Sequence, residues 1–159
     1  MKTFFKNLFL LFFMFFGLIS EAQNDGRSKI ERNVPLVVAE SFNAVFSAKD
    51  PVWFTRYQGE NNQELVYEAK FIFDNRYCKS VYDFNGNQIA FAATIDYLEL
   101  PEGARNYMEE KYPTFPIMEA LMVTSNQQVV TYEIGVYIDN QYMIQVFSKE
   151  GDFIKNTKA

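Results

Sequence analysis

A shift of 65 positions lays much of this chain onto itself, and a sequence written twice from one unit can fold only into two halves of shared architecture. Val66 to Ile89 aligns with Thr131 to Ile154 without a gap, and eight of the 24 columns are identical: Tyr67/Tyr132, Glu68/Glu133, Asp74/Asp139, Asn75/Asn140, Tyr77/Tyr142, Val81/Val146, Gly86/Gly151 and Ile89/Ile154. The same offset pairs Pro51 with Pro116, and an offset of 66 pairs Pro35 with Pro101. Two turn dipeptides and two glycines thus fall in register, so the repeat is one of local structure.

Each unit opens on a proline followed by apolar residues three and four apart. Val38, Phe42, Val45 and Phe46 follow Pro35, and Ala104, Tyr107, Met108 and Tyr112 follow Pro101. That spacing puts them on one helical face, and proline suits a first turn because its missing N–H has no intrahelical partner there. Asp50-Pro51 and Pro113 end the two helices. Strands are predicted at Val52–Tyr57, Leu65–Phe73, Arg76–Phe84 and Gln88–Ile95, then at Ile117–Thr124, Val129–Ile138, Gln141–Phe147 and around Phe153 and Ile154. Asp74-Asn75, Asn85-Gly86 and Asp139-Asn140 are turn residues that accept positive φ. The expected fold is α+β: two tandem repeats, residues 34–96 and 97–159, each a helix followed by a four-stranded antiparallel meander.

Alternation assigns the two faces of the sheet. A two-residue turn at Asp74-Asn75 pairs Phe73 with Arg76, Phe71 with Cys78, Ala69 with Ser80, Tyr67 with Tyr82 and Leu65 with Phe84. A two-residue turn at Asn85-Gly86 would pair Phe84 with Asn87, Tyr82 with Ile89 and Ser80 with Phe91. Both turns name one apolar face for the helix to cover. The opposite face carries Val66, Glu68, Lys70 and Ile72 across from Tyr77, Lys79, Val81 and Asp83, and Thr131, Glu133, Gly135 and Tyr137 across from Tyr142, Ile144, Val146 and Ser148. With no helix left to bury it, this face is expected to stay open to solvent. Its Ile72, Tyr77, Tyr137, Tyr142 and Ile144, with Lys70 and Lys79 for polar orientation, form a candidate protein-binding surface. Cross-strand tyrosine pairs that only stabilise the sheet are the alternative reading.

The N-terminus stands apart. Seven of the 17 phenylalanines lie in the first 16 residues, and Lys2 and Lys6 precede an uncharged run from Leu8 to Ile19 that ends at Ser20-Glu21-Ala22. This is the layout of a secretory signal peptide over residues 1–22. Twelve residues rise only about 18 Å as a helix, short of the roughly 30 Å apolar core of a bilayer, so no membrane span is expected after cleavage. Residues 23–33 read as a flexible segment. Loss of Lys2, Lys6 and Glu21 moves the net charge from −5 to −6, and an acidic surface without basic runs repels nucleic acid. Location in the periplasm or outside the cell is expected. Cys78 is the only cysteine, so no internal disulfide can form.

The chemistry of catalysis is sparse. The chain has no histidine, which removes the usual general base and the commonest metal ligand. Cys78 is expected to face the core beside Phe71 as an inert thiol, and Trp53 to pack there as well. Glu109-Glu110 and the repeated Glu68 and Glu133 are the only suggestive carboxylates, and are read as solvated. Turn chemistry accounts for Asp74-Asn75 and Asp139-Asn140 without calcium. No cofactor, metal site or enzymatic activity is expected.

The doubled helix-opening proline, Pro51-Val52-Trp53, the Tyr-Glu-x-x-Phe of Tyr67 to Phe71 and the turns at Gly86 and Gly151 resemble the PepSY-like proteins that are similar to β-lactamase inhibitory protein. The resemblance covers essentially the whole chain after residue 22. It implies tandem helix-plus-four-strand units whose sheets join into a curved surface, with the concave side gripping a partner. A non-enzymatic protein-binding module follows, an inhibitor of an envelope or secreted enzyme of peptidase or β-lactamase type. The alternative is a structural or self-assembling envelope protein that uses the same face to dimerise.

Overall fold

The computed structural model describes residues 29–47, 49–58 and 63–158; the leader expected over 1–22 lies outside them. Its elements run β1 (Lys29–Ile30), α1 (Leu36–Val45), β2 (Val52–Gln58), β3 (Glu64–Phe73), β4 (Arg76–Tyr82), β5 (Gln88–Thr94), a 3-10 turn at Tyr97–Glu99, α2 (Glu102–Lys111), β6 (Ile117–Ser125), β7 (Val130–Ile138), β8 (Gln141–Ser148) and β9 (Phe153–Lys158). The nine strands form a single antiparallel sheet in sequence order. The meander of each repeat is continuous with the other because β5 pairs with β6, from Ala90 opposite Ser125 to Thr94 opposite Leu121. The α+β architecture and its curved joint sheet are therefore as expected. Lys29–Ile30, inside the segment read as flexible, pairs with Thr55 and Phe54 of β2.

Pro35 and Pro101 stand immediately before their helices in extended conformation, with ψ of 139° and 144°. Each helix closes on an aromatic residue: the Phe46 N–H bonds the Phe42 carbonyl and the Tyr112 N–H that of Met108, both at 2.8 Å. Val38, Phe42 and Phe46, four residues apart, pack α1 onto Tyr67, Ala69, Phe71, Cys78, Tyr82 and Ala93. Leu100, Ala104 and Met108 pack α2 and its lead-in onto Ala120, Ile134, Val136 and Phe147. Burying each large apolar side chain is worth roughly 1.5–3 kcal/mol, so each helix is fixed by its own stripe. Trp53 meets the Phe42 ring edge-on at 5.5 Å, and Cys78 is buried, which pushes its thiol pKa up. Val45, expected on the buried stripe, is exposed. It sits at the helix end and lines a recess together with Phe46, Phe73 and Phe91.

The β3–β4 register is as predicted from Phe73 opposite Arg76 through Tyr67 opposite Tyr82. Asp74 and Asn75 both have positive φ, 50° and 58°, and Asp139 and Asn140 repeat this at 50° and 61°. Such pairs match the right-handed twist of the strands they join. The next turn differs. Only Gly86 has positive φ there, and Gly86 N–H bonds Asp83 O while Asp83 N–H bonds Asn87 O. The connection is thus a longer loop with a glycine bulge, and the ladder shifts between Val81 and Tyr82. Tyr82 consequently faces Gln88 instead of Ile89, whereas Ser80 still faces Phe91. Phe84, expected opposite Leu65, lies in the loop and is exposed. The second repeat carries the same bulge between Val146 and Phe147, with Gly151 at φ 95°.

Candidate functional site

Among the described residues no helix covers the face opposite α1 and α2, yet its centre is dry. Val66 of β3 and Leu121 of β6 are each 1% exposed, and Val81, Ala92 and Val146 are also buried. The face expected to lie open is closed along its middle because the sheet curls. The electrostatics agree: Glu133 on β7 feels the charges of Arg56 on β2 and Glu68 on β3, which in a flat sheet would be about 20 Å away. Small Ala90 and Ala92 on β5 leave space over the seam, and Lys79 of β4 reaches across it to Glu119 of β6 at 3.2 Å.

The inner face therefore carries an ionic cluster. Glu68 is met by Lys70 at 3.1 Å and Arg56 at 3.8 Å, and Lys70 also lies 4.2 Å from the centre of the Phe54 ring. Glu119 accepts from Lys79 and from the Tyr142 hydroxyl at 3.0 Å. Tyr142 reaches Glu119 by lying over Gly135, where a Cβ would overlap its hydroxyl. Only glycine permits that crossing. Burial, reinforced by the charges of Glu68 and Glu119, pushes the Tyr77 hydroxyl up to about 12. Burial likewise raises Tyr142, with Glu119 adding to it through charge and hydrogen bond.

Glu68 and Glu133, read from the sequence as solvated, are largely buried, because curling folds their strands inward. Among the described residues Glu133 has no ion-pair or hydrogen-bond partner; burial raises its pKa, Lys79 and Arg56 oppose this, and Glu119 and Glu68 add to it. A carboxyl whose folded pKa is raised lends stability that is complete below its unfolded value and disappears as pH climbs through the folded one. Glu133→Gln is therefore expected to melt a few degrees above the parent at pH 7, with the difference vanishing near pH 3. Thermal melts at the two pH values check this; a variant that melts lower at pH 7 would show the carboxylate to be well solvated or paired.

The sequence-selected residues gather at one end of this face. The β3–β4 and β7–β8 hairpins point the same way in the meander, so Ile72, Tyr77, Tyr137 and Tyr142 share its rim. Ile72 is 58% and Tyr137 49% exposed, whereas Tyr77, Tyr142 and Ile144 are half-buried. The Tyr137 and Tyr142 rings are 5.2 Å apart, and the Lys79 ammonium is 5.9 Å from the centre of the Tyr77 ring. Lys70 and Lys79 lie deeper and are held in the ion pairs above. Glu119, Gly135 and Arg56 were not among the sequence candidates. Alternation places all three on this face, but what joins them is curvature, which no single hairpin encodes.

This architecture is similar to that of several solved structures. The chain has a BLIP-like fold. A BLIP-like protein from Bacteroides fragilis superposes with a TM-score of 0.56 at 14% identity, covering 81% of this chain and 89% of that one. A protein from Bacteroides eggerthii described as periplasmic gives 0.63 at 12% identity over 80% of this chain and 90% of its own. A DUF2874 family protein from Bacteroides uniformis gives 0.60 at 16% identity, over 78% and 88%. At these identities the likeness is one of fold, and none of the three is described as PepSY-like. No protein-family model and no curated protein sequence matches the chain. Among the described residues no helix is long and apolar enough to cross a membrane.

Proposed function

We propose that this chain is an exported, non-enzymatic protein-binding module, working in the periplasm or outside the cell and gripping its partner with the rim of the curled inner face. The observation that carries the reading is the pairing of exposed Ile72 and Tyr137 with Tyr77 and Tyr142, whose rings rest on the Lys79–Glu119 bridge. Tyrosines held in place present large contact area at low entropic cost. The periplasmic description of one structural neighbour and the leader-like N-terminus support export. The finer reading, a PepSY-like inhibitor of a peptidase or β-lactamase-type enzyme, rests on the sequence resemblance and on the BLIP-like neighbour. Catalysis by carboxylates would have to rest on Glu133 alone, because Glu68 and Glu119 are committed to cations, Glu109 accepts from Tyr97 and Glu110 pairs with Lys111.

Tyr77→Ala combined with Tyr142→Ala tests the proposal. The double variant is expected to keep the far-UV spectrum of the parent and to lose capture of an envelope protein that the parent retains from envelope extract. Unchanged capture would defeat the reading. Sedimentation of the purified chain addresses the competing occupant, a second copy: dimers that the double variant abolishes would favour self-assembly over an outside partner.

A further inference from the structure

A second feature lies at the same end of the molecule, beside the second helix. The segment after β5, the C-terminal half of α2, the loop that follows it and the first residues of β6 line an open cavity of about 550 Å³, inside the range of small-molecule sites. Its walls are apolar and aromatic, with Tyr97, Tyr112 and Phe115 beside Met108, Ile117 and Met118. The charged residues that line it are all acidic: Asp96, Glu109 and Glu119. Glu119 is balanced by Lys79, and among the described residues Glu109 forms no ion pair and accepts from the Tyr97 hydroxyl at 3.1 Å. The cavity thus presents acidic groups beside ring faces, the surroundings that attract a cation.

The duplication shows that two of these carboxylates are not required by the architecture. At the offset of 66 that aligns the helix prolines, Glu109 corresponds to Asn43; at 65, Glu119 corresponds to Phe54. The first repeat builds the same helix and strands with no acid at either position. We propose that the cavity binds a small organic cation, an ammonium group carried on an apolar stem, with the stem against Tyr112, Phe115 and Met118 and the ammonium between Asp96 and Glu109.

Three probes with one stem test this on the intact protein: 4-phenylbutylamine, 4-phenylbutanol and 4-phenylbutyrate, titrated by calorimetry and by amide chemical shifts. The amine is expected to bind saturably, at least tenfold more tightly than the carboxylate, with shifts concentrated at Tyr97, Tyr112 and Met118. Asp96→Asn with Glu109→Gln, both exposed positions, should weaken the amine about tenfold and leave the alcohol unchanged. Equal affinity for amine and carboxylate, absence of saturable amine binding, or shifts centred instead on the recess at Val45 and Phe91 would overturn the proposal, and the unmodified protein suffices for each of these readings. Because none of these residues is among the rim tyrosines, loss of partner capture by the tyrosine variants leaves this result untouched.

Discussion

Phe42→Ala should remove about 3–5 kcal/mol of stability, the range for truncating a fully buried aromatic. Phe42 is 1% exposed, and its ring lies 4.9 Å from that of Phe71, 5.3 Å from Phe46 and 5.5 Å from Trp53. It is the middle residue of the stripe that pins α1, so the void it leaves has helix on one side and sheet on the other. Neither side can collapse without losing the remaining contacts. Urea denaturation followed by fluorescence checks this directly, because Trp53 is the sole tryptophan and packs against the truncated ring. A loss under about 1 kcal/mol would mean that α1 is not held through this stripe.

The second large effect is expected at Gly151. Its φ of 95° disfavours any side chain, and a Cβ there would lie 2.9 Å from the amide nitrogen of Ala104 and 3.2 Å from the Gly103 Cα. Those are backbone atoms at the start of α2, so the loop and the helix must separate. Gly151→Ala is expected to cost more than about 2 kcal/mol, since left-handed backbone alone accounts for roughly 1–2. Asparagine tolerates the left-handed region better but still carries a Cβ, so Gly151→Asn should restore only part of the loss. Full restoration would assign the effect to φ alone and remove the close approach as a cause. Melting curves of the two variants decide between these outcomes.

The strands and the helices were legible because each rests on local chemistry. Alternation between Tyr67 and Phe73 names a face, and Asp74-Asn75 sets the register with both residues at positive φ, as two-residue turns require. Asn85-Gly86 looks like the same signal and is not. There the positive φ falls on the glycine alone, and the extra residue of the bulge exchanges Ile89 for Gln88 opposite Tyr82. Whether a loop closes with two residues or more depends on how it meets the helix: a Cβ on Gly86 would touch Ser41 and Val37 of α1. That contact is remote in sequence.

The candidate site was legible only at its rim. Ile72, Tyr77, Tyr137 and Tyr142 follow from alternation, and the structure leaves them clear of both helices. The ionic interior did not follow, because Lys79 and Glu119 are 40 positions apart and meet across the small residues of β5. Glu68 and Glu133 read as surface acids because their neighbours on the same strand face give no sign of enclosure. Burial there is a property of the closed curve, and it exists only once all the strands are in place.

The two apolar clusters, one beneath each helix, are bridged along the sheet by the ladder between β5 and β6 and on the inner side by Lys79 and Glu119. Tyr77 belongs to one cluster's half and the Tyr137–Tyr142 pair to the other, so their spacing is set across this seam, where the ladder, the ion pair and the buried Val66, Val81, Ala92, Leu121 and Val146 meet. Because that bridge is half-buried, salt screens it only weakly. The proposed grip should therefore persist at ionic strengths that dissolve surface ion pairs.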